Sequence, residues 1–332
     1  MKKMRKKKII FLPRYNYWGA SSRYRHFMLS QFLNESNIKT SIYPFFEKKN
    51  NKTIFYLYYL IKRFLIVIFN RNSKFYIEGD IFPYLPFNIV LPKHYVIDLD
   101  DPLWNLEKIN AKFINKKWSD LIGKSLLLVS GSPYTLNFWR KKCKNISTHF
   151  TPTTFKSDFY NNFRKFSLER KTGGWIGSPS TSIYIDDLFD SEQDLILKFN
   201  WILVGYSGKY ENHSNIKVLS WSKANEESMA SISDFAISPL TYNEKISDYK
   251  CGFKIVQYIA LGLNTIINEV GANKIWMESP GVHVVKSNWC HSIESSNFIE
   301  NHKIQSFFKK NIASEYVFIN LKKKVQTEFY LS

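Results

Sequence analysis

Three aspartates follow an apolar strand in "YVIDLDDPLW", at positions 98, 100 and 101. Carboxylates this close repel one another and cost stability unless a cation or a hydrogen-bond donor lies nearby. Asp98 and Asp100 alternate with Leu99, so their side chains should lie on one face of the strand end. This pattern favours a functional role for at least one of them. Metal binding, binding of sugar hydroxyls and general-base catalysis all remain open.

A second group of residues could bind an anion near the start of the chain. In "GASSRYR", Gly19 closes a turn, and Ser21 or Ser22 could cap the helix that follows. A helix N-terminus reached through a glycine turn presents N–H groups to an anion. Arg23 and Arg25 stand in the first turn, where a cation opposes the helix dipole. Ordinary surface positions, or contact with a phosphate or an acceptor, would explain them.

The stretch 232–274, "ISDFAISPLTYNEKISDYKCGFKIVQYIALGLNTIINEVGANK", is the most specific of the chain. A strand and a polar loop precede Gly252, which should open a helix with Lys254 in its first turn. A helix start with a lysine beside it is typical of a diphosphate site. The small residues Ala260 and Gly262 allow the helix to pack closely against the next strand.

A third glycine-containing stretch is "GGWIGSPST", residues 173–181. Small residues at this density allow the backbone to approach a ligand or a neighbouring helix closely. Because the stretch opens the second half of the chain, a ligand is favoured. Trp175 is expected to pack in a sheet. Ser178, Ser180 and Thr181 offer hydroxyls that could hydrogen-bond a phosphate.

Short apolar runs alternate with segments of helical periodicity along the whole chain, and this order predicts the elements that position these residues. Strands are expected at 7–13, 38–45, 74–80, 94–100 and 125–131, and again at 173–178, 200–206, 215–221, 234–240, 264–271 and 281–285. Alternation of this kind predicts an α/β protein with parallel, helix-covered sheets. We expect two Rossmann-like domains facing a cleft, with ligands beyond the carboxyl ends of the strands. Residues 1–160 would form the first domain and 161–310 the second, with a helix at 311–332 that could return to the first.

The chain is strongly basic. Its 332 residues include 47 Lys and Arg against 28 Asp and Glu, a formal net charge of +19. Such a surface suits a phosphate-bearing ligand, an anionic membrane or nucleic acid. No stretch combines basic residues with aromatics at stacking spacing, so nucleic acid is not expected as a partner. We expect an anionic membrane surface as a partner instead.

The most apolar stretch, "TIFYLYYLIKRFLIVIF" at 53–69, is interrupted by Lys62 and Arg63. It falls short of the roughly 20 apolar residues of a membrane span, so a buried or interface-lying helix is expected. The apolar run Ile9–Leu12 is too short for a signal peptide. Three widely spaced cysteines favour a reducing cytoplasm. We therefore expect a cytoplasmic protein, peripheral at the inner face of the cell membrane.

In order and spacing, the 232–274 stretch resembles the nucleotide-sugar-binding half of retaining glycosyltransferases of the family 4 group, which have the two-domain GT-B fold. "YKCGFKIVQYIALGLNTII" matches the glycine of the family motif at Gly252 and its Ala-x-Gly at Ala260 and Gly262. The two family carboxylates fall at Tyr249 and Gln257. "GASSRYR" and "GWIGSPST" are similar to stretches of bacterial surface-polysaccharide transferases of this type.

The resemblance implies transfer of a sugar from a nucleotide diphosphate donor to a lipid-linked surface glycan, with retention of anomeric configuration. It implies no cofactor and no metal. Lys254 would stabilise the leaving diphosphate, and Asp98 or Asp100 would orient the glycan or glycolipid acceptor. The donor-binding set would comprise Gly19, Ser21, Ser22, Arg23, Gly177, Ser178, Ser180, Thr181, Lys250, Gly252, Phe253, Gln257, Gly271 and Asn273.

Other functions remain open on the same residues. A GT-B site could instead carry out polyol-phosphate transfer or sugar epimerisation. A non-catalytic protein of this fold could use its positive charge to bind membrane or nucleic acid, and the replacement of the two family carboxylates favours that alternative.

Overall fold

The computed structural model describes residues 8–48, 55–106, 111–160, 171–240 and 245–331. The chain divides into two compact units. The first holds the described residues up to Phe155, Tyr249–Cys251 and the chain from Val317 onward. The second holds the described residues of 156–248 and of 252–316. The predicted domain boundary at 160/161 borders residues 161–170, which lie outside the described part of the chain.

The first unit is built on a six-stranded parallel sheet with strand order β2-β1-β3-β4-β5-β6. Its strands are β1 (Ile9–Leu12), β2 (Thr40–Ile42), β3 (Lys74–Glu78), β4 (His94–Leu99), β5 (Leu127–Ser130) and β6 (Thr148–Phe150). Its helices are α1 (Met28–Glu35), α2 (Tyr56–Phe69), α3 (Leu103–Leu106), α4 (Ala111–Gly123) and α5 (Pro133–Lys142).

Alternating side chains of these strands enter two separate apolar clusters. Ile10 and Leu12 of β1 pack with Trp118 of α4 on one side of the sheet. Ile9 and Phe11 pack on the other side, in a cluster that includes α1 and the helix α12 (Ser314–Leu331). Because both faces of each central strand are covered, the strands read as continuous apolar runs.

The second unit repeats the plan, with strand order β12-β11-β10-β7-β8-β9 and parallel pairing throughout the described ladder. Its strands are β7 (Thr172–Ile176), β8 (Asn200–Val204), β9 (Ile216–Leu219), β10 (Phe235–Ser238), β11 (Asn264–Ile267) and β12 (Val282–Val284). Its helices are α6 (Ile183–Ser191), α7 (Asp194–Lys198), α8 (Lys223–Ile232), α9 (Phe253–Ala260), α10 (Trp289–Ser295) and α11 (Asn301–Asn311).

The eleven predicted strands are confirmed, each lying largely within its predicted range. The prediction that Ser21 or Ser22 caps the first helix is wrong. That helix begins with a π-helical turn, Ser22–Phe27, and no side chain caps it. The Ser22 hydroxyl instead donates to the Glu78 carboxylate. Within the described residues, no helix combines the length and apolarity needed to cross a bilayer.

Candidate functional site

The aspartates at the end of β4 are compensated by an arginine from the turn before α1. Arg25 donates from Nε to both carboxylate oxygens of Asp98, at 3.0 and 3.2 Å. Arg25 and Asp98 are only 3% and 1% exposed. Burial alone would lower the pKa of Arg25, but Asp98 and Asp100 raise it above its ordinary value. Arg25 is therefore a fixed positive charge in the core, and it supplies the cation that the aspartates require.

Asp100 lies on the same side as Asp98, as the alternation with Leu99 predicts. Its Oδ1 accepts a hydrogen bond of 2.5 Å from Thr153 and lies 3.8 Å from Arg25 Nη1. Asp100 is 12% exposed, so it reaches solvent whereas Asp98 does not. Close packing encloses this corner, since a Cβ on Gly131 would lie 2.7 Å from Cys251 Cβ and 3.2 Å from Arg25 Nη1.

A buried histidine completes the cluster. Burial lowers the pKa of His26 to about 4, so the ring is neutral at pH 7. Its ring packs edge-on against Phe11 and Tyr76, and its Nε2 lies 3.6 Å from Asp98. The Tyr76 hydroxyl donates to Asp98 at 3.1 Å. These contacts fix the position of Asp98, and its carboxylate in turn orients the side chains of Arg25 and Tyr76.

The residues of the predicted anion site before α1 make contacts within the first unit. Gly19 closes a tight turn in which a Cβ would lie 2.6 Å from Tyr15 Cβ. Ser21 makes no side-chain cap. The Arg23 guanidinium lies over the rings of Tyr24 and Tyr17, at 4.6 and 5.8 Å from their centroids.

In the second unit, the loop after β7 meets the start of α9. Ser178 and Ser180 are exposed, and their hydroxyls lie 2.9 Å apart. Lys254 donates from Nζ to Thr181 Oγ1 at 3.3 Å. Its ammonium also lies 4.3 Å from the ring centroid of Trp175. The structure thus brings together the hydroxyls and the lysine of two separate sequence stretches.

Gly252 stands immediately before α9 with φ of +68°, a conformation that favours glycine. A Cβ there would lie 2.7 Å from Trp276 Nε1. Phe253, half-buried, is the first residue of the helix. The N–H groups of the first turn and the Lys254 ammonium therefore share one end of α9, an arrangement that suits an anion.

The glycines of "GGWIG" serve packing within the second unit. A Cβ on Gly173 would lie 2.3 Å from Trp201, and one on Gly174 would lie 2.7 Å from Met229 Sδ. A Cβ on Gly177 would lie 2.1 Å from the ring of Trp175, which is fully buried as predicted. The close approach that these glycines allow is to the chain's own side chains.

Gln257 lies in a buried polar group. Its Nε2 contacts Glu226 Oε1 at 3.2 Å and the Tyr160 hydroxyl at 3.3 Å. Tyr160 in turn donates to the other oxygen of Glu226 at 2.6 Å, and Trp221 Nε1 donates to Oε1 at 2.9 Å. Gln257 and Glu226 are 6% and 1% exposed. A carboxylate thus stands beside the amide.

The remaining predicted residues have contacts of their own. Asn273 is 1% exposed and donates from Nδ2 to the carbonyl oxygens of Ser238 and Asn268. A Cβ on Gly271, where φ is +50°, would lie 2.2 Å from the Ser247 carbonyl oxygen. Lys250 belongs to the first unit. Among the described residues, no three His, Cys, Asp or Glu side chains converge as metal ligands.

Neither a protein-family model nor a curated protein matches this sequence. Solved structures nevertheless match nearly the whole chain. Sucrose-phosphate synthase from Thermosynechococcus elongatus matches with a TM-score of 0.70 and 9% identity, over 98% of this chain and 100% of that one. HepE from Anabaena, solved in complex with UDP, matches with a TM-score of 0.59 and 11% identity, over 97% and 100%. AviGT4, a glycosyltransferase involved in avilamycin A biosynthesis, gives 0.61 and 6%, over 98% and 99%.

The chain has the GT-B fold. The two six-stranded parallel sheets and these similarities confirm the predicted α/β class. At such low identities the similarity concerns the fold alone. The role of each residue in this GT-B chain therefore depends on its own contacts.

Three buried carboxylates, Glu78, Asp80 and Glu226, were missed from the sequence, and Glu78 and Glu226 each left a signal. Glu78 ends strand β3 at the same sheet edge as Asp98, and it accepts hydrogen bonds from Ser22 Oγ and the Arg14 N–H. Glu226 precedes Met229 and Ala230 at helical spacing, which places it on the buried face of α8. An acidic residue on an apolar face should have been expected to have a buried partner.

Proposed function

We propose that this protein is a glycosyltransferase that uses a nucleotide diphosphate sugar as its donor. The observation that carries the proposal is the contact between Lys254 and Thr181 at the start of α9, where helix N–H groups, a lysine and exposed hydroxyls converge. The GT-B fold supports it, and the HepE structure holds UDP in the same fold.

In this reaction, negative charge grows on the leaving diphosphate as the glycosidic bond breaks. Groups that already point at that charge stabilise the transition state more than the ground state. We assign this work to the N–H groups of Phe253 and Lys254, to the Lys254 ammonium, and to the hydroxyls of Ser178 and Ser180. The side-chain carbonyl oxygen of Gln257 would accept a hydrogen bond from a ribose hydroxyl, because its Nε2 already donates to Glu226 and Tyr160.

On the acceptor side, the two aspartates take different roles. Asp98 is buried and held by Arg25 and Tyr76, so we assign it a positioning role. Asp100 reaches solvent and is the better group to accept a hydrogen bond from an acceptor hydroxyl. We propose a lipid-linked surface glycan as acceptor, a retaining outcome, and a cytoplasmic location at the inner face of the cell membrane.

Isothermal titration against UDP, GDP, TDP and their sugars tests the donor site. We expect one nucleotide to bind, and Lys254→Ala to weaken its binding at least about tenfold, through the loss of a charge-assisted hydrogen bond. Lys198→Ala is the matched control. Lys198 pairs with Glu294 and lies before the N-terminal end of β8, whereas Lys254 follows the carboxyl ends of the strands. If no nucleotide binds, or if both variants weaken binding equally, the proposal fails.

A further inference from the structure

Helix α2 (Tyr56–Phe69) buries a charge and exposes apolar residues, the reverse of a surface helix in most soluble proteins. Its buried residues are Tyr59, Arg63 and Val67. The Arg63 guanidinium, 2% exposed, donates to the carbonyl oxygens of Pro13 and Tyr43 at 3.0 Å each. Those contacts fix the rotation of the helix, so the side it presents to solvent is set by the fold.

The outward side of α2 is apolar throughout. Six large apolar residues are 39–79% exposed, and we refer to them as the α2 apolar face: Leu57, Tyr58, Ile61, Leu65, Ile68 and Phe69. At about 100° per residue they span an arc of about 120°. Monomeric soluble proteins rarely expose a contiguous apolar surface of this kind unless it binds something.

The exposed charges at the C-terminal end of this face are positive. Arg71 follows the helix, and the Lys93 N–H donates to the Arg71 carbonyl oxygen at 3.1 Å, so two exposed lysine and arginine side chains begin at the same end of α2. Lys62, at the edge of the face, is paired with Glu47. Within 55–93 the acidic residues are Glu78 and Asp80, which are 6% and 3% exposed.

We propose that the α2 apolar face rests on a membrane that contains anionic lipids. An apolar arc bordered by cations fits the boundary between acyl chains and anionic headgroups. The 14 residues of α2 span about 21 Å, too short to cross a bilayer, so the helix lies in the plane of the interface. Docking on a second copy of this chain fits less well, because each copy carries a formal net charge of +19.

This partner deepens the proposed function, since a lipid-linked acceptor lies at such a surface, but lipid binding itself requires no sugar transfer. Flotation of the full chain with phosphatidylcholine vesicles, with and without phosphatidylglycerol, tests it. We expect salt-sensitive flotation with phosphatidylglycerol. Ile61→Ser with Leu65→Ser should lower vesicle partitioning at least about tenfold, because each removes an apolar side chain from the interface. Arg71→Gln should lower it about fivefold.

The matched control is Leu197→Ser with Ile319→Ser, which removes two apolar side chains that are 65% and 46% exposed elsewhere on the chain. This control should float like the native protein. Failure of the native protein to float at low salt overturns the inference, as does equal flotation of the α2 variant. A dimer that the α2 variant dissociates, without any flotation, would assign the face to a second copy and also overturn it. Nucleotide titration of the same samples separates these results from failure of the proposed function.

Discussion

Replacing Gln257 by glutamate should destabilise this protein. Gln257 Nε2 lies 3.2 Å from Glu226 Oε1, and both residues are buried. In Gln257→Glu, a carboxylate oxygen replaces that amide donor, so two acidic groups face each other across a former hydrogen bond. The change adds almost no volume, and the effect is therefore electrostatic.

The distance sets the magnitude. Two unit charges about 3.2 Å apart repel by about 5 kcal/mol at an effective dielectric constant of about 20. The pair can avoid this repulsion by holding one proton, which costs about 1.4 kcal/mol for each pH unit above the ordinary glutamate pKa of about 4.3. At pH 7 that route costs about 4 kcal/mol and is the cheaper one. Because the folded protein then binds a proton that the unfolded chain releases, the penalty falls to about 1 kcal/mol at pH 5.

Urea unfolding at pH 7 and pH 5 measures this. The loss in unfolding free energy relative to the native protein should be about 3–4 kcal/mol at pH 7 and about 1 kcal/mol at pH 5. The double variant Glu226→Gln with Gln257→Glu carries a single carboxylate, so its loss should depend less on pH than that of Gln257→Glu. A variant as stable as the native protein at pH 7, or a loss that is the same at both pH values, would refute the electrostatic account.

Two further predictions concern the cluster around Asp98. Asp98→Asn leaves the buried Arg25 without its bidentate partner and should cost about 3 kcal/mol of unfolding free energy; urea unfolding should show less than about 0.5 kcal/mol for the exposed control Asp120→Asn. His26 has its pKa lowered to about 4 by burial, so the unfolded ring takes up a proton as the pH falls below about 6.5 while the folded ring stays neutral. The native protein should therefore lose up to about 3 kcal/mol more than His26→Phe between pH 7 and pH 4, and equal acid losses in the two proteins would contradict that assignment.

The sequence predicts the strands well because both faces of these parallel sheets are covered. Continuous apolar runs such as those at β4 and β5 then indicate buried strands, and their alternation with helices indicates the α/β class. The side of the strand on which Asp98 and Asp100 lie also follows from a period of two. These are local features, and each depends on a few consecutive residues.

The partners of those carboxylates could not be predicted in the same way. Arg25 and Asp98 are 73 residues apart in sequence, and Gln257 and Glu226 are 31 apart. Helix-dipole reasoning marked Arg25 as unusual but left a surface position, a phosphate contact and an acceptor contact open. Helical periodicity does not indicate the π-helical turn that directs this side chain into the core. Pairs this far apart in sequence depend on how the helices and strands pack together, and periodicity within one element does not specify that packing.

The buried pair of Glu226 and Gln257 places one negative charge and one amide in contact, and two different helices supply them. Glu226 accepts hydrogen bonds from Gln257, Tyr160 and Trp221, so the negative charge belongs on α8, where these three donors meet. Two carboxylates at these positions would leave an uncompensated repulsion, and two amides would remove the charge. The role of the glutamine in α9 therefore follows from the glutamate in α8, and the sequence of α9 alone does not indicate it.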